Sequence, residues 1–211
     1  MARRGLRLTG GAFHGAKIYG VHGNDVRPAL GIVRKSIFSI LGDHVADARV
    51  LDIFAGTGSV GLEALARGAR EALFIDQDPR CVQALKRNVD RLHLQGRAKV
   101  LKVNAFGVVA MCRRFPEPFD LVFVDPPYRY WDGMRTRERL FQVMEQIALD
   151  HLSTDGRMVV EHAKGQHDGV DLMALTLVDR RHFGDTELSI WARKSSLPEA
   201  RSDGRRPLEP E

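Results

Sequence analysis

A chain of 211 residues that is 44% hydrophobic and 28% charged has the composition of one globular domain with a core of its own, and two full domains would crowd that length. Its formal net charge of +5 favours a polyanionic partner, because each neutralised phosphate releases condensed counterions, but basicity alone concerns association and not fold. Two cysteines, Cys81 and Cys112, without CxxC spacing give no support to a disulfide framework or a structural zinc site, and no apolar run approaches the about 18 residues of a membrane helix, so a cytoplasmic protein without a membrane partner is expected.

Leu6 to Val21 carries Gly10, Gly11, Gly15 and Gly20 between short apolar pieces, which predicts a small β-hairpin with Arg3, Arg4, Arg7 and Lys17 around it. Residues 1–27 are therefore set apart as an N-terminal hairpin extension. From Pro28 to Leu41 the apolar positions Leu30, Val33, Ile37, Ile40 and Leu41 recur at three and four, predicting an amphipathic helix that opens on Pro28 and ends at Gly42. Strands at Arg49–Phe54, Ala72–Ile75, Lys99–Val103 and Asp120–Val124 then alternate with helices at Val60–Arg67, Pro79–Leu94 and Phe106–Arg113. Such alternation implies right-handed crossovers and a parallel sheet covered on both faces. A helix at Arg137–His151 and a fifth strand at Arg157–Glu161 follow. Leu172–Val178 and Glu187–Ala192, with Gly184 and Asp185 between them, predict an antiparallel hairpin closing the sheet edge. The expected fold is thus α/β, a doubly wound, mostly parallel seven-stranded sheet over residues 28–194, followed by a polar tail, 195–211, expected to be disordered.

Asp52-Ile53-Phe54-Ala55-Gly56-Thr57-Gly58-Ser59-Val60-Gly61 places a GxGxxG directly after a strand and at the start of a helix. Glycines there let backbone approach a ligand, and the free N–H groups of a helix N-terminus favour a ligand carboxylate or phosphate. Asp52, four residues ahead of the first glycine, suits a ligand bearing an amino group and a sulfonium, as S-adenosylmethionine does, and suits a pyrophosphate poorly. Asp76 ends the second strand, where a carboxylate accepts hydrogen bonds from ribose hydroxyls, a feature that S-adenosylmethionine and dinucleotides share. Glu63 reads equally as a surface acid of the helix or as a ligand contact.

Asp125-Pro126-Pro127-Tyr128 follows the fourth strand, at the carboxyl edge where open α/β sheets bind substrates. The lone pair of an exocyclic base amine is conjugated into its ring, and acceptors on its hydrogens, such as Asp125 and the Pro126 carbonyl, localise that pair toward an incoming methyl. The prolines hold the corner stiff without adding donors, Tyr128 can stack on a base, and Arg129, Tyr130 and Trp131 extend a cationic, aromatic rim. A bare turn after a buried strand is the plain alternative; the upstream glycine motif in the right order favours chemistry.

These segments resemble those of the bacterial small-subunit ribosomal RNA guanine-N2 methyltransferases. "LDIFAGTGSVGLEALARGA" is similar to that family's first motif, "FIDQD" to its second, "FVDPPY" to its fourth and "HFGDTELSIW" to its terminal hairpin; "LTGGAFHGAKI" and "RPALGIVRKSIFSIL" are similar to its N-terminal hairpin and first helix. The resemblance implies a Rossmann-like class I methyltransferase using S-adenosyl-L-methionine on 16S ribosomal RNA or the small subunit, expected as a monomer. It implies cofactor contacts from Asp52, Phe54, Gly56, Gly58, Asp76, Asn104 and Ala105, a catalytic corner at Asp125, Pro126, Pro127 and Tyr128, and substrate contacts from Arg34 and Arg129. Two positions depart from the family: Ala29-Leu30-Gly31 replaces a polar run after Pro28, and Asn104 stands where an acid commonly accepts the adenine amine.

His93, His151, His162, His167 and His182 have no paired ligand spacing, so no metal is expected, and solvated faces account for Arg113-Arg114 and Arg180-Arg181. Other readings remain open at this point: a DNA or RNA adenine-N6 methyltransferase, a catalytically inactive RNA-binding assembly factor hinted at by Asn104, and, more remotely, a nicotinamide dehydrogenase.

Overall fold

The computed structural model describes residues 6–21, 31–166 and 170–194. The expected helix start at Pro28, the Ala29-Leu30 departure, Arg3, Arg4, His167 and the tail 195–211 lie outside them.

β3 (Arg49–Ile53) is buried at all five positions, as a central parallel strand covered on both faces must be. It pairs in parallel with β4 (Glu71–Asp76) on one side and with β6 (Phe119–Val124) on the other. β5 (Ala98–Lys102) lies outside β4, and β7 (Leu152–Ala163) lies outside β6, both parallel. β9 (Thr186–Arg193) then runs antiparallel between β7 and β8 (Leu175–Phe183), completing a seven-stranded sheet among the described residues in the order β5-β4-β3-β6-β7-β9-β8. The chain winds outward from β3 to β5 and returns to the other side of β3 at β6, so the strand order reverses between β3 and β6.

Alternate strand residues feed two cores. Val50, Phe74 and Phe123 pack with α1 (Gly31–Leu41), α2 (Ser59–Ala66) and α3 (Pro79–Arg91) on one face. Leu51, Ile75 and Val124 pack on the other with α4 (Val108–Cys112), α5 (Arg129–Asp132) and α6 (Met134–Asp150). α3 starts where its sequence dictates: the Asp78 carboxylate accepts the Arg80 N–H, and Pro79 occupies the first turn, where its missing N–H costs nothing.

Three elements differ from the sequence expectation. β7 runs twelve residues, beginning at Leu152, because Leu152 pairs with Phe119 across an irregularity in the ladder and so draws the turn-like Ser153 to Gly156 into the sheet. β8 starts at Leu175 and continues to Phe183, whereas Leu172 is buried without being strand. α5 was not expected; its first turn forms directly on the proline corner, with Tyr130 N–H donating to the Pro127 carbonyl and Trp131 N–H to that of Tyr128, both at 2.8 Å.

The N-terminal hairpin, β1 (Leu6–Arg7) against β2 (Lys17–Ile18), is part of the first core, since Leu8 and Ile18 are buried in it. Its polar fastening is Glu63 on α2, which is 0% exposed. Glu63 accepts the Thr9 N–H at 2.7 Å and the Thr9 hydroxyl at 2.8 Å, and it pairs with Arg34 Nε at 3.2 Å and Arg67 Nε at 3.0 Å. The ambiguity over Glu63 resolves as a structural clamp. Removing its carboxylate leaves the Arg34 guanidinium, 2% exposed, buried beside no counter-charge. Glu63→Ala is therefore expected to cost about 3–5 kcal/mol of unfolding free energy in urea titrations, and a loss below about 1 kcal/mol would show that the clamp is dispensable.

Candidate active site

The carboxyl ends of β3, β4, β6 and β7 open into a cavity of about 560 Å³. Phe54, Gly56, Asp76 and Ala105 line one side of it, and Asp125, Pro126, Tyr128 and Glu161 line the other. This is where a reversal of strand order splays the loops of an open sheet apart and leaves a crevice.

The loop after β3 is built by backbone geometry. Phe54 and Gly56 adopt left-handed conformations, φ 66° and 55°, at a cost on the order of 1 kcal/mol for the phenylalanine. The turn is held by Ala55 N–H to the Ile75 carbonyl at 3.0 Å, Gly58 N–H to the Ala55 carbonyl at 2.8 Å and Gly56 N–H to Asp76 Oδ2 at 2.7 Å. The glycines divide their work. A Cβ at Gly58, whose φ is 83°, would fall 2.2 Å from Leu85 Cδ1, and one at Gly61 would fall 2.3 Å from the Phe74 ring and 2.9 Å from Asp52 Oδ2. Gly58 and Gly61 thus admit α2 close against α3 and β4, and Gly56 is the motif glycine on the cavity wall.

Asp52, expected as a cofactor contact, is not among the residues that line the cavity. Its side chain is buried on the α2 face of β3, off the cavity wall, where Oδ2 accepts the Gly61 N–H at 3.0 Å. It caps the helix from within, occupying an N–H that an anionic ligand was expected to use. Burial, reinforced by Asp76 and partly offset by the Gly61 bond, pushes its carboxyl up to about 7.

Asp76 does reach the cavity. Oδ2 accepts from Gly56 and Oδ1 accepts the Asp78 N–H at 2.8 Å, and the carboxylate, which also draws on the Gln77 backbone, keeps acceptor capacity for a ligand. Burial raises its carboxyl, and the Asp78 and Gly56 bonds pull it back down. Asn104 is exposed and both ends of its amide are used: Oδ1 accepts the Phe106 N–H and Nδ2 donates to Gln77 Oε1, each at 2.9 Å. Its neighbours Val103 and Ala105 form the wall in its place. Arg34 is also not brought to the cavity. It is held against Glu63 and the Arg7 carbonyl, beneath the hairpin.

On the opposite wall, the four residues Asp125 to Tyr128 all line the cavity, joined by Arg129. Trp131, 1% exposed, anchors the corner in the second core, and the Tyr128 hydroxyl lies 3.1 Å from Thr186 Oγ1 at the start of β9. The Tyr130 ring spans the two halves, 5.7 Å from Phe54 and 5.6 Å from Phe106, with its hydroxyl accepting from Gln77 Nε2 at 3.1 Å. The Arg129 guanidinium sits 5.4 Å above that ring.

Sequence reasoning missed Glu161. Like Asp125 it directly follows the last register pair of β6 with β7, Val124 and Val160, and its place at the end of the expected fifth strand was the available signal. Burial pushes Glu161 up to about 7, and burial, then Glu161, then Asp52 raise Asp125 well above the usual carboxylate range.

The family model described as Conserved hypothetical protein 95 matches residues 6–192. Over 189 residues the chain is 28% identical to YlbH of Bacillus subtilis (strain 168), named as a candidate rRNA methyltransferase, with 90% of this chain and 100% of that protein covered. It is 38% identical over 124 residues to ribosomal RNA small subunit methyltransferase D of Escherichia coli (strain K12), a match spanning 59% of this chain and 61% of that one. Among solved structures, the Escherichia coli protein yhhF, named as a candidate methyltransferase, superposes with a TM-score of 0.76 at 29% identity over 90% of this chain and 98% of its own.

An acid whose folded pKa lies above its unfolded value holds its proton more tightly in the folded chain, so stability falls as the pH rises from the ordinary carboxylate range through that folded value. For Asp52 the window runs from near 4 to about 7. Asp52→Asn keeps an oxygen for Gly61 and removes the charge. Urea titrations from pH 5 to pH 8 are expected to show a shallower loss of stability for the variant than for the parent, by a few kcal/mol at most, at about 1.4 kcal/mol per pKa unit. Parallel curves would mean that Asp52 titrates normally.

Proposed function

The chain belongs to the Conserved hypothetical protein 95 family and has the class I methyltransferase fold, and from that premise we propose that it is an S-adenosylmethionine-dependent methyltransferase acting on the exocyclic N2 amine of a guanine in small-subunit (16S) ribosomal RNA. The observation that carries this reading is that the glycine loop and the Asp125 to Tyr128 corner face each other across one cavity, with Tyr130 packed on Phe54 between them. The similarity to ribosomal RNA small subunit methyltransferase D and the net charge of +5 support the choice of RNA. The reading includes a monomer working in the cytoplasm, with residues 28–194 as the catalytic unit and 1–27 as an appendage to it.

S-adenosylmethionine supplies an electrophilic methyl group on a sulfonium. On the cofactor side, Asp76 offers acceptor capacity to a ribose diol, and Ile75, Val103 and Ala105 make an apolar slot for a purine. On the substrate side, Asp125 and the Pro126 carbonyl accept the amine hydrogens and turn the nitrogen lone pair toward the donor, while Tyr128, steadied by Thr186, stacks on the base. The methylated amine is cationic and strongly acidic, and its proton passes to the Asp125 carboxylate or to water. Asn104, the one residue that suggested an inactive relative, lies off the cavity wall, so nothing at the pocket favours that alternative.

Mass spectrometry of ribosomal RNA nucleosides from cells with and without the protein tests the assignment: N2-methylguanosine is expected to fall in its absence, and unchanged content overturns it. In titration calorimetry, Asp76→Ala is expected to weaken S-adenosylmethionine binding by about 10–100-fold, or about 1.4–2.8 kcal/mol. Asp125→Ala is expected to lower kcat by about 100-fold or more while leaving cofactor affinity within about threefold, because it removes an acceptor that acts on the reacting amine. Equal losses of affinity in both variants would contradict the division of the cavity into two sides.

A further inference from the structure

The corner after β6 is a surface of acceptors. The Asp125 N–H is directed at the Ile53 carbonyl, 3.4 Å away inside the sheet, and neither Pro126 nor Pro127 has an N–H to offer. Glu161 stands beside this corner, since it and Asp125 each follow the last register pair of β6 with β7, Val124 and Val160, and both line the cavity. It is held within β7 by its pairing with Leu188 of β9, so its position is set by the sheet and not by a loop. Among the described residues no side-chain hydrogen bond occupies the carboxylate of Asp125 or of Glu161, and both line the cavity. His162, the next residue, points to the opposite face, toward Ser189 and Glu187, and belongs to a separate buried network.

With both carboxyls ionised, this wall offers acceptors only and selects among bases by their edges. Guanine presents N1–H beside its N2 amine, so its edge carries donors only at these two positions. Adenine presents an N6 amine beside N1, which is an acceptor and would face a carboxylate. We propose that Glu161 is the specificity-determining residue of this site: its carboxylate accepts the N1–H of guanine while Asp125 and the Pro126 carbonyl take the two amine hydrogens, and the same arrangement turns adenine away. The inference rests on the methyltransferase reading above and adds to it the reason for choosing guanine. The burial of the two carboxyls agrees with it, since burial holds both above the ordinary range, with the Glu161 charge adding to the rise at Asp125, and N–H donors from a base stabilise the ionised forms.

The test uses the full chain and a fragment of small-subunit RNA carrying either guanosine or 2-aminopurine at the position that mass spectrometry finds methylated. 2-Aminopurine keeps the amine but has an acceptor at N1. The unaltered protein is expected to prefer guanosine by about 100-fold or more in kcat/KM. Glu161→Gln can turn its amide NH₂ toward an N1 acceptor, and is expected to narrow that ratio by about tenfold or more while binding S-adenosylmethionine within about threefold of the parent. Glu161→Ala is expected to lose activity on guanosine without the relative gain on 2-aminopurine. A ratio unchanged in Glu161→Gln, with guanosine still methylated, overturns the role of Glu161 and leaves the enzyme assignment standing. Transfer to adenine, or to no RNA at all, is seen with the unaltered protein before any variant is made, and overturns both.

Discussion

β3 is hydrogen-bonded in parallel on both sides, to β4 and to β6, and this one constraint places everything else. Parallel pairing brings the three carboxyl ends to the same edge, so residues distant in the chain, Phe54, Asp76 and Asp125, meet around one cavity. Because the chain leaves β3 in one direction and returns on its other side, the loops after β3 and β6 diverge, and the space between them is not filled by a crossover. A sheet wound in one direction only would have closed that gap.

The acidic residues at this edge have distinct jobs set by how far toward the carboxyl edge each one stands and by which element packs over it. Asp52 faces the α2 side and is consumed in holding the first turn of that helix. Asp76, at the end of the neighbouring strand, ties down the glycine loop through Oδ2 and its own following turn through Oδ1, and still faces the cavity. Asp125 and Glu161 share the substrate side, where burial raises both and the Glu161 charge raises Asp125 further. An edge with this much uncompensated acceptor capacity favours ligands that bring N–H donors or positive charge, which a sulfonium and a base amine both do.

The N-terminal hairpin is tied to the same machinery by two buried polar side chains. Glu63 receives Thr9 and binds Arg34, and Asn88 on α3 accepts the Tyr19 N–H at 2.6 Å while donating to the Tyr19 carbonyl at 3.1 Å and the Thr57 carbonyl at 3.0 Å. Asn88 therefore joins the end of the hairpin to the glycine loop through one amide. Buried groups of this kind are costly unless fully satisfied, so they specify how the hairpin sits more sharply than apolar contact alone does.

Much of this was legible in the chain. The alternation of β-branched runs with helical periodicity gave the strands and the parallel sheet, the Gly184-Asp185 turn gave the closing hairpin, and the two motifs at strand ends gave the glycine loop and the proline corner, because each is a local pattern of residues close in sequence. What local pattern does not carry is direction and partnership. Whether Asp52 looks into the cavity or under the helix, whether Gly58 serves a ligand or Leu85, and whether Arg34 meets RNA or Glu63 depend on which elements pack on each face of the sheet. Glu161 shows the same limit, since it acquires its place only when β6 and β7 come into register beside Asp125. The sequence by itself determined the elements, their order and the chemistry available at their ends; the tertiary structure decided which side chains share a space, because burial and charge proximity arise from contacts between segments far apart in the chain.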